Sequence, residues 1–331
     1  MSERLSPTRV AAIWAAALVL FAVAAITVIT LVNHKVFGPE QLVKQLQTHL
    51  VAGDGTKALG LMQATVPKGN ALLLDGQGLR AASADIKDFT IGKPEPVPGN
   101  EKIVEVPTSY MVHGVEQHTN YTLRSTGRDW LFFNRWEFVP STLPTVQISA
   151  NTTNEVDINS LPAPLTKGSA VIPVFAPAVV NASFKTPNFA ASSRGLVVSD
   201  LAAKGTKIKL QTAPTKALLD EVNKQLNTYL DACAHQQVLM PANCPMSYST
   251  SARVRSDSIH WNILDYPSAD IVTYNGGWVL TPLTVKTRLN LTEQNLRTGE
   301  LTDRAIEDSF GFTAVLKVST TKASVTPLTS D

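Results

Sequence analysis

Only two cysteines occur in 331 residues, and charged side chains make up just 17% of the chain. Net charge is +2, with no run of like charges and no clustered basic face. That excludes an acidic or basic tail and gives no reason to expect a nucleic-acid partner. The usual nucleophile and metal signatures are also missing. There is no Gly-x-Ser-x-Gly, no Ser-x-x-Lys with its companion motifs, and no His-Glu-x-x-His. Asn275-Gly276-Gly277 lacks the strand-to-helix context of a phosphate loop and reads as a turn before Trp278. A structural zinc site needs four ligands, commonly as close pairs. The histidines His34, His49, His113, His118, His235 and His260 are scattered instead. No metal and no cofactor is expected.

Apolar residues are plentiful at 44%, and the length suits two or three compact domains. Val10 to Val32 is 23 residues without a charge. As a helix it would rise about 34 Å, against roughly 30 Å for a bilayer core. Trp14 sits near one end, where interfacial aromatics belong. The expectation is a transmembrane helix over 10–32, in contact with the lipid bilayer, after a short cytoplasmic tail at 1–9. The protein would then be a single-pass membrane protein with its C-terminal domains outside. A cleaved signal peptide is the competing reading, with Ala22-Val23-Ala24 as the cleavage pattern. The apolar run continues well past Ala24, which favours the anchor, and both readings export the rest. Four Asn-x-Ser/Thr sequons, at Asn120, Asn151, Asn181 and Asn290, read as chance matches in a chain rich in Asn and Thr.

Pro39 suits the first turn of a helix, and Leu42, Val43, Leu46 and Leu50 follow at helical spacing. Gly53-Asp54-Gly55 breaks this helix, and "TKALGLMQATV" reads as a second one ended by Pro67. After Asp85 come β-branched and aromatic runs separated by Gly, Pro and Asn, with "STGRD" as a hairpin turn. Residues 38–140 therefore read as an α+β domain, helices first and then an antiparallel sheet. Residues 141–212 read as a small all-β module. Residues 213–319 repeat the helix-then-strand plan. Their helix starts at Pro214-Thr215 and carries a stripe of Leu219, Val222, Leu226, Leu230 and Cys233. Within this block "NLTEQNLRTGELTDRAIED" reads as a polar, partly helical insertion, and 320–331 as a flexible tail.

The Gly-Asp-Gly helix pair followed by a twisted sheet resembles the NTF2-like (cystatin-like cone) fold. The stretch "VIPVFAPAVVNASFKTPNF" resembles the small β domains of TcaA-type membrane-anchored proteins of Gram-positive bacteria, and "LDACAHQ…PANCP" resembles actinobacterial membrane proteins of no assigned function. The resemblance implies two NTF2-like domains, at 38–140 and 213–319, flanking the β module. It further implies an envelope-facing protein with an envelope or cell-wall partner, and it supplies no catalytic residues.

In an exported domain, Cys233 and Cys244 are expected to form a disulfide. They lack Cys-x-x-Cys spacing, and Cys233 falls on the buried stripe. "DWLFFNRWEFV" places Trp130, Phe132, Trp136 and Phe138 on one strand face, either as core or as the wall of an apolar pocket. His113 and His260 are the weak candidates for acid–base chemistry, beside Asp88, Tyr110, His118, Asp257, Asp265 and Tyr266. The expected function is a non-enzymatic binding or scaffold role at the cell envelope. The alternatives are an exported NTF2-like ligand-binding or acid–base enzyme domain and an extracytoplasmic sensor, the last disfavoured by the short segment before the span.

Overall fold

An alanine-rich apolar stretch without glycine or internal proline favours helix, and the first element, α1 (Pro7–Lys35), contains it. The structure, a computed structural model, describes residues 7–35, 37–129, 133–319 and 322–328. Trp14, Leu18, Phe21 and Ile26 of α1 are exposed, and the element it meets is β5, described below. Among the described residues, no helix is long and apolar enough to cross a membrane. The transmembrane helix expected over 10–32 is thus corrected. The bilayer contact, the single-pass topology, the cytoplasmic tail at 1–9 and the outside location of the remainder lose their support with it.

The first block begins with α2 (Pro39–Ala52), whose Pro39 occupies the first turn. Val43, Leu46 and Leu50 are buried on one face. The helix ends at Gly53, in the left-handed region at φ 78°, where glycine carries no Cβ penalty. Two eight-residue helices follow, α3 (Gly55–Met62) and α4 (Gly76–Ser83). The antiparallel sheet comprises β1 (Lys87–Ile91), β2 (Glu95–Val97), β3 (Asn100–Val112), β4 (Val115–Asp129) and β5 (Phe133–Phe138). Its order is β1-β3-β4-β5, with β2 also on β3. Strict alternation buries Val104, Val106, Thr108, Tyr110 and Val112 of β3. "STGRD" is not a turn: β4 runs through it, with a register shift between Ser125 and Gly127. Gly127 has φ 136°, and a glycine bulge of this kind lets a strand bend without ending.

Residues 145–214 hold β6 (Thr145–Ala150), β7 (Glu155–Ile158), β8 (Leu161–Pro164), β9 (Ser169–Pro173), β10 (Ala178–Lys185), β11 (Phe189–Val198), β12 (Thr206–Leu210) and β13 (Ala213–Pro214). One sheet has the order β13-β11-β10-β7-β8 and the other β12-β6-β9. Val146, Ile148, Val156, Ile158, Ile172 and Val180 form the core they share. Leu73 and Ala82 of the first block join this core, while Phe175 packs into the core of the first block. The Thr119 hydroxyl donates to the Ser199 carbonyl at 2.7 Å. The first two blocks therefore pack together.

The third block opens with α5 (Lys216–Ala234), capped by the Thr215 hydroxyl, which accepts from the Leu218 N–H at 3.2 Å. Its buried stripe is Leu218, Val222, Leu226, Leu230 and Cys233, with Leu219 only half-buried. Then come β14 (Arg253–Val254), β15 (His260–Asp265), β16 (Ile271–Tyr274), β17 (Gly277–Leu280), β18 (Leu283–Gln294), β19 (Leu301–Val318) and β20 (Ala323–Leu328). The sheet order is β14-β18-β19-β20, with β15 also on β18, and β16–β17 is a separate hairpin. Phe189 of β11 stacks on Trp278 of β17 at 4.5 Å. The polar insertion is not helical. It is the far end of the β18–β19 ladder, continuous from Leu283↔Phe312 to Gln294↔Leu301. Within the expected flexible tail at 320–331, residues 323–328 pair with β19 as β20, and 320, 321 and 329–331 lie outside the described residues. Gln225 of α5 reaches the outer side of that strand: its amide donates to the Ala323 carbonyl and accepts from the Val325 N–H, both at 3.0 Å. One long helix here stands where the first block has three, so the two blocks share a helix-before-sheet order but not a helix count.

Candidate functional site

The disulfide is present. Cys233 and Cys244 are bonded with their Cα atoms 5.8 Å apart. Closing a loop of this size restricts the unfolded chain by about 3 kcal/mol in the loop-entropy picture. Cys233 is 2% exposed and Cys244 is half-buried.

The acid–base candidates do not converge. His113 and Gly114 are the two residues between β3 and β4, both at positive φ, as the tight hairpin turn requires. The His113 side chain is exposed, with Nε2 3.6 Å from Asp85 Oδ2. His260 lies on the solvent side of β15, opposite buried Trp261, and pairs with Asn290 across the ladder. His118 and Asp88 are exposed on β4 and β1. Asp257 pairs with Arg255 at 2.8 Å, and this partner holds its carboxyl below the usual range. Tyr266 donates to Asp231, and that bond pushes its phenol up. Among the described residues, no three His, Cys, Asp or Glu gather where they could hold a metal ion.

The aromatic face divides. Trp130 and Phe132 lie outside the described residues. Phe138 is 2% exposed and meets Tyr121 edge-on at 5.9 Å, so it is core. Trp136 is half-buried and, with Asn134, Pro39 and Val104, lines a cleft of about 180 Å3.

Two tyrosines bind the blocks together. Tyr121 is buried under the sheet, and its hydroxyl donates to the Ala176 carbonyl at 2.9 Å. The Tyr110 hydroxyl lies 2.9 Å from Thr119 Oγ1. Burial raises both phenols above their ordinary value, so folding favours their neutral forms. Their contribution is whole below about pH 10, where an unfolded tyrosine still holds its proton, and is lost as pH rises through the raised folded values. The urea midpoint should therefore fall as pH is raised above about 10, and fall less steeply in Tyr121→Phe. Equal slopes in the two proteins would count against this linkage.

An apolar groove of about 720 Å3 lies between α2 and β1. Lys44, Gln47, Thr48, Val51 and Ala52 form its helix wall, and Phe89 and Ile91 its strand wall. The helix residues follow a second stripe, spaced 3, 1, 3 and 1, beside the buried one. Phe89 and Ile91 are two apart and so share one face of β1. Val51 is 55% exposed. Among the described residues, Lys44 is the one charged residue in the lining. Sequence reasoning missed this groove, since the outer stripe of α2 is only mildly apolar and nothing local ties it to β1. No protein-family model and no curated protein matches this chain.

Proposed function

We propose that this chain is a non-enzymatic binding protein that takes an extended peptide segment in the groove between α2 and β1. The carrying observation is that the apolar groove lies along an edge strand. β1 ends its sheet, with β3 as its partner on one side. A strand added along the other side would send alternate side chains toward Val51, Phe89 and Ile91, while its main chain bonds to β1. This is the usual division between affinity and specificity in strand addition. Favoured segments would alternate apolar and polar residues, with an acidic group near Lys44. The acid–base reading at His113 or His260 has less support, because both imidazoles are exposed, one on a turn and one on an outer sheet face.

Panning a random linear-peptide library on the whole chain tests this. Enriched sequences should alternate apolar and polar residues, and Val51→Asp should weaken them at least about tenfold, about 1.4 kcal/mol. Val51 is exposed, so this substitution should alter stability by no more than about 0.5 kcal/mol. Val272→Asp, on β16 of the third block, should leave binding unchanged. Binders that tolerate Val51→Asp, or no enrichment at all, would rule the reading out.

A further inference from the structure

A second cavity, of about 520 Å3, lies in the third block, between residues 240–247 and the sheet. This volume falls within the roughly 300–1,000 Å3 of small-ligand pockets. Met240, Cys244, Met246, Phe312 and Leu328 supply its apolar lining, and Ser247, Thr313 and the Gly311 backbone supply polar surface beside them. Phe312 and Met246 are buried, at 7% and 1% exposure. Pro241, Pro245 and Pro282 also line it, and proline has no N–H to donate. Among the described residues, no charged side chain is in the lining. Thioether and disulfide sulfurs are polarizable and make favourable contacts at the edges of aromatic rings.

We infer that this cavity binds a neutral aromatic ring, and that the Cys233–Cys244 bond holds its wall in place. Residues 236–252, which supply that wall, contain no helix or strand. Beside the disulfide, they are tied by the Tyr229 hydroxyl donating to the Asn243 carbonyl at 2.6 Å. The Trp261 indole N–H also donates to the Val238 carbonyl at 2.9 Å. Cys233 is fixed in the last turn of α5, inside the core, whereas Cys244 faces the cavity. A dithiol therefore reaches Cys244 first. Its thiolate bonds to Cys244 Sγ, and the bond to Cys233 breaks. Cys233 leaves as a thiolate and takes up a proton. The second thiol of the reductant then displaces Cys244, which is protonated in turn, and the reductant leaves as its own cyclic disulfide. The wall residues 240–247 lose their covalent tie to the core, and the site opens.

The chain has five methionines, so methyl-13C labelling reads the site directly. Titration of the oxidised protein with indole should shift the Met240 and Met246 methyl signals saturably, leaving Met62 and Met111 of the first block unmoved. Cyclohexanol should give a weaker response at the same concentration. Dithiothreitol should move the two unliganded signals and abolish their response to indole. Absence of any shift in the oxidised protein, or a stronger response to cyclohexanol, would overturn the ligand assignment. A full indole response after both thiols are counted as free would overturn the role of the disulfide. So would collapse of the Met62 signal together with Met246, since the bond would then support the chain at large. Val51→Asp should leave the titration unchanged, which separates this site from the α2–β1 groove.

Discussion

Replacing Gly55 with alanine should destabilise the chain by about 3 kcal/mol or more, at the upper end of what overpacking causes. A Cβ on Gly55 would sit 1.8 Å from the Leu74 carbonyl oxygen. That atom belongs to backbone and cannot rotate away, so α3 or the 72–75 segment must move. The same shift would strain the bond from the Gly55 N–H to Asp75 Oδ1, 2.8 Å long. Gly60 on the same helix is the control: its added Cβ meets nothing within 4 Å. Gly60→Ala should be neutral or stabilise by up to about 1 kcal/mol, because it removes the helix penalty of glycine without a clash. Urea midpoints of the two variants decide the matter, and equal effects would refute the close approach.

Leu226→Ala should cost about 2–5 kcal/mol. Leu226 is fully buried in the middle of the α5 stripe, in the cluster that includes Trp261, Val285 and Leu289. Removing its branched end leaves a cavity between helix and sheet that rigid ladder strands close poorly. Leu219→Ala, on the half-buried flank of α5, should cost less than half as much. A loss below about 1 kcal/mol for Leu226→Ala would mean that the stripe does not anchor α5.

Periodicity made α2, α3, α5 and β3 legible, because each buries one face and exposes the other. The disulfide was expected from a single cysteine pair in a domain read as exported, and the place of Cys233 on the α5 stripe agreed with it. The ladder β18–β19 was misread. Leu289 and Leu291 alternate with Asn290, Thr292 and Gln294, and its partner strand carries Asp303, Arg304 and Glu307, so a solvated sheet face passed for a polar insertion. α4 carries two glycines in eight residues, a composition that argues against helix, and packing overrides it. The membrane reading of 10–32 rested on the length of an uncharged run and on Trp14 near one end. The α2–β1 groove was illegible for another reason: Val51 and Phe89 meet only through tertiary packing, which no local pattern encodes.

The amide of Gln225 gives this chain a direction. It offers β20 the donor and acceptor that another strand would offer, so the sheet of the third block is terminated from within at that edge. At the β1 edge of the first block no such amide stands in for a neighbour among the described residues. An open fibre of identical chains needs two complementary edges that repeat head to tail. With one of this pair closed, a strand can be received at β1 without β20 passing the addition on to the next copy.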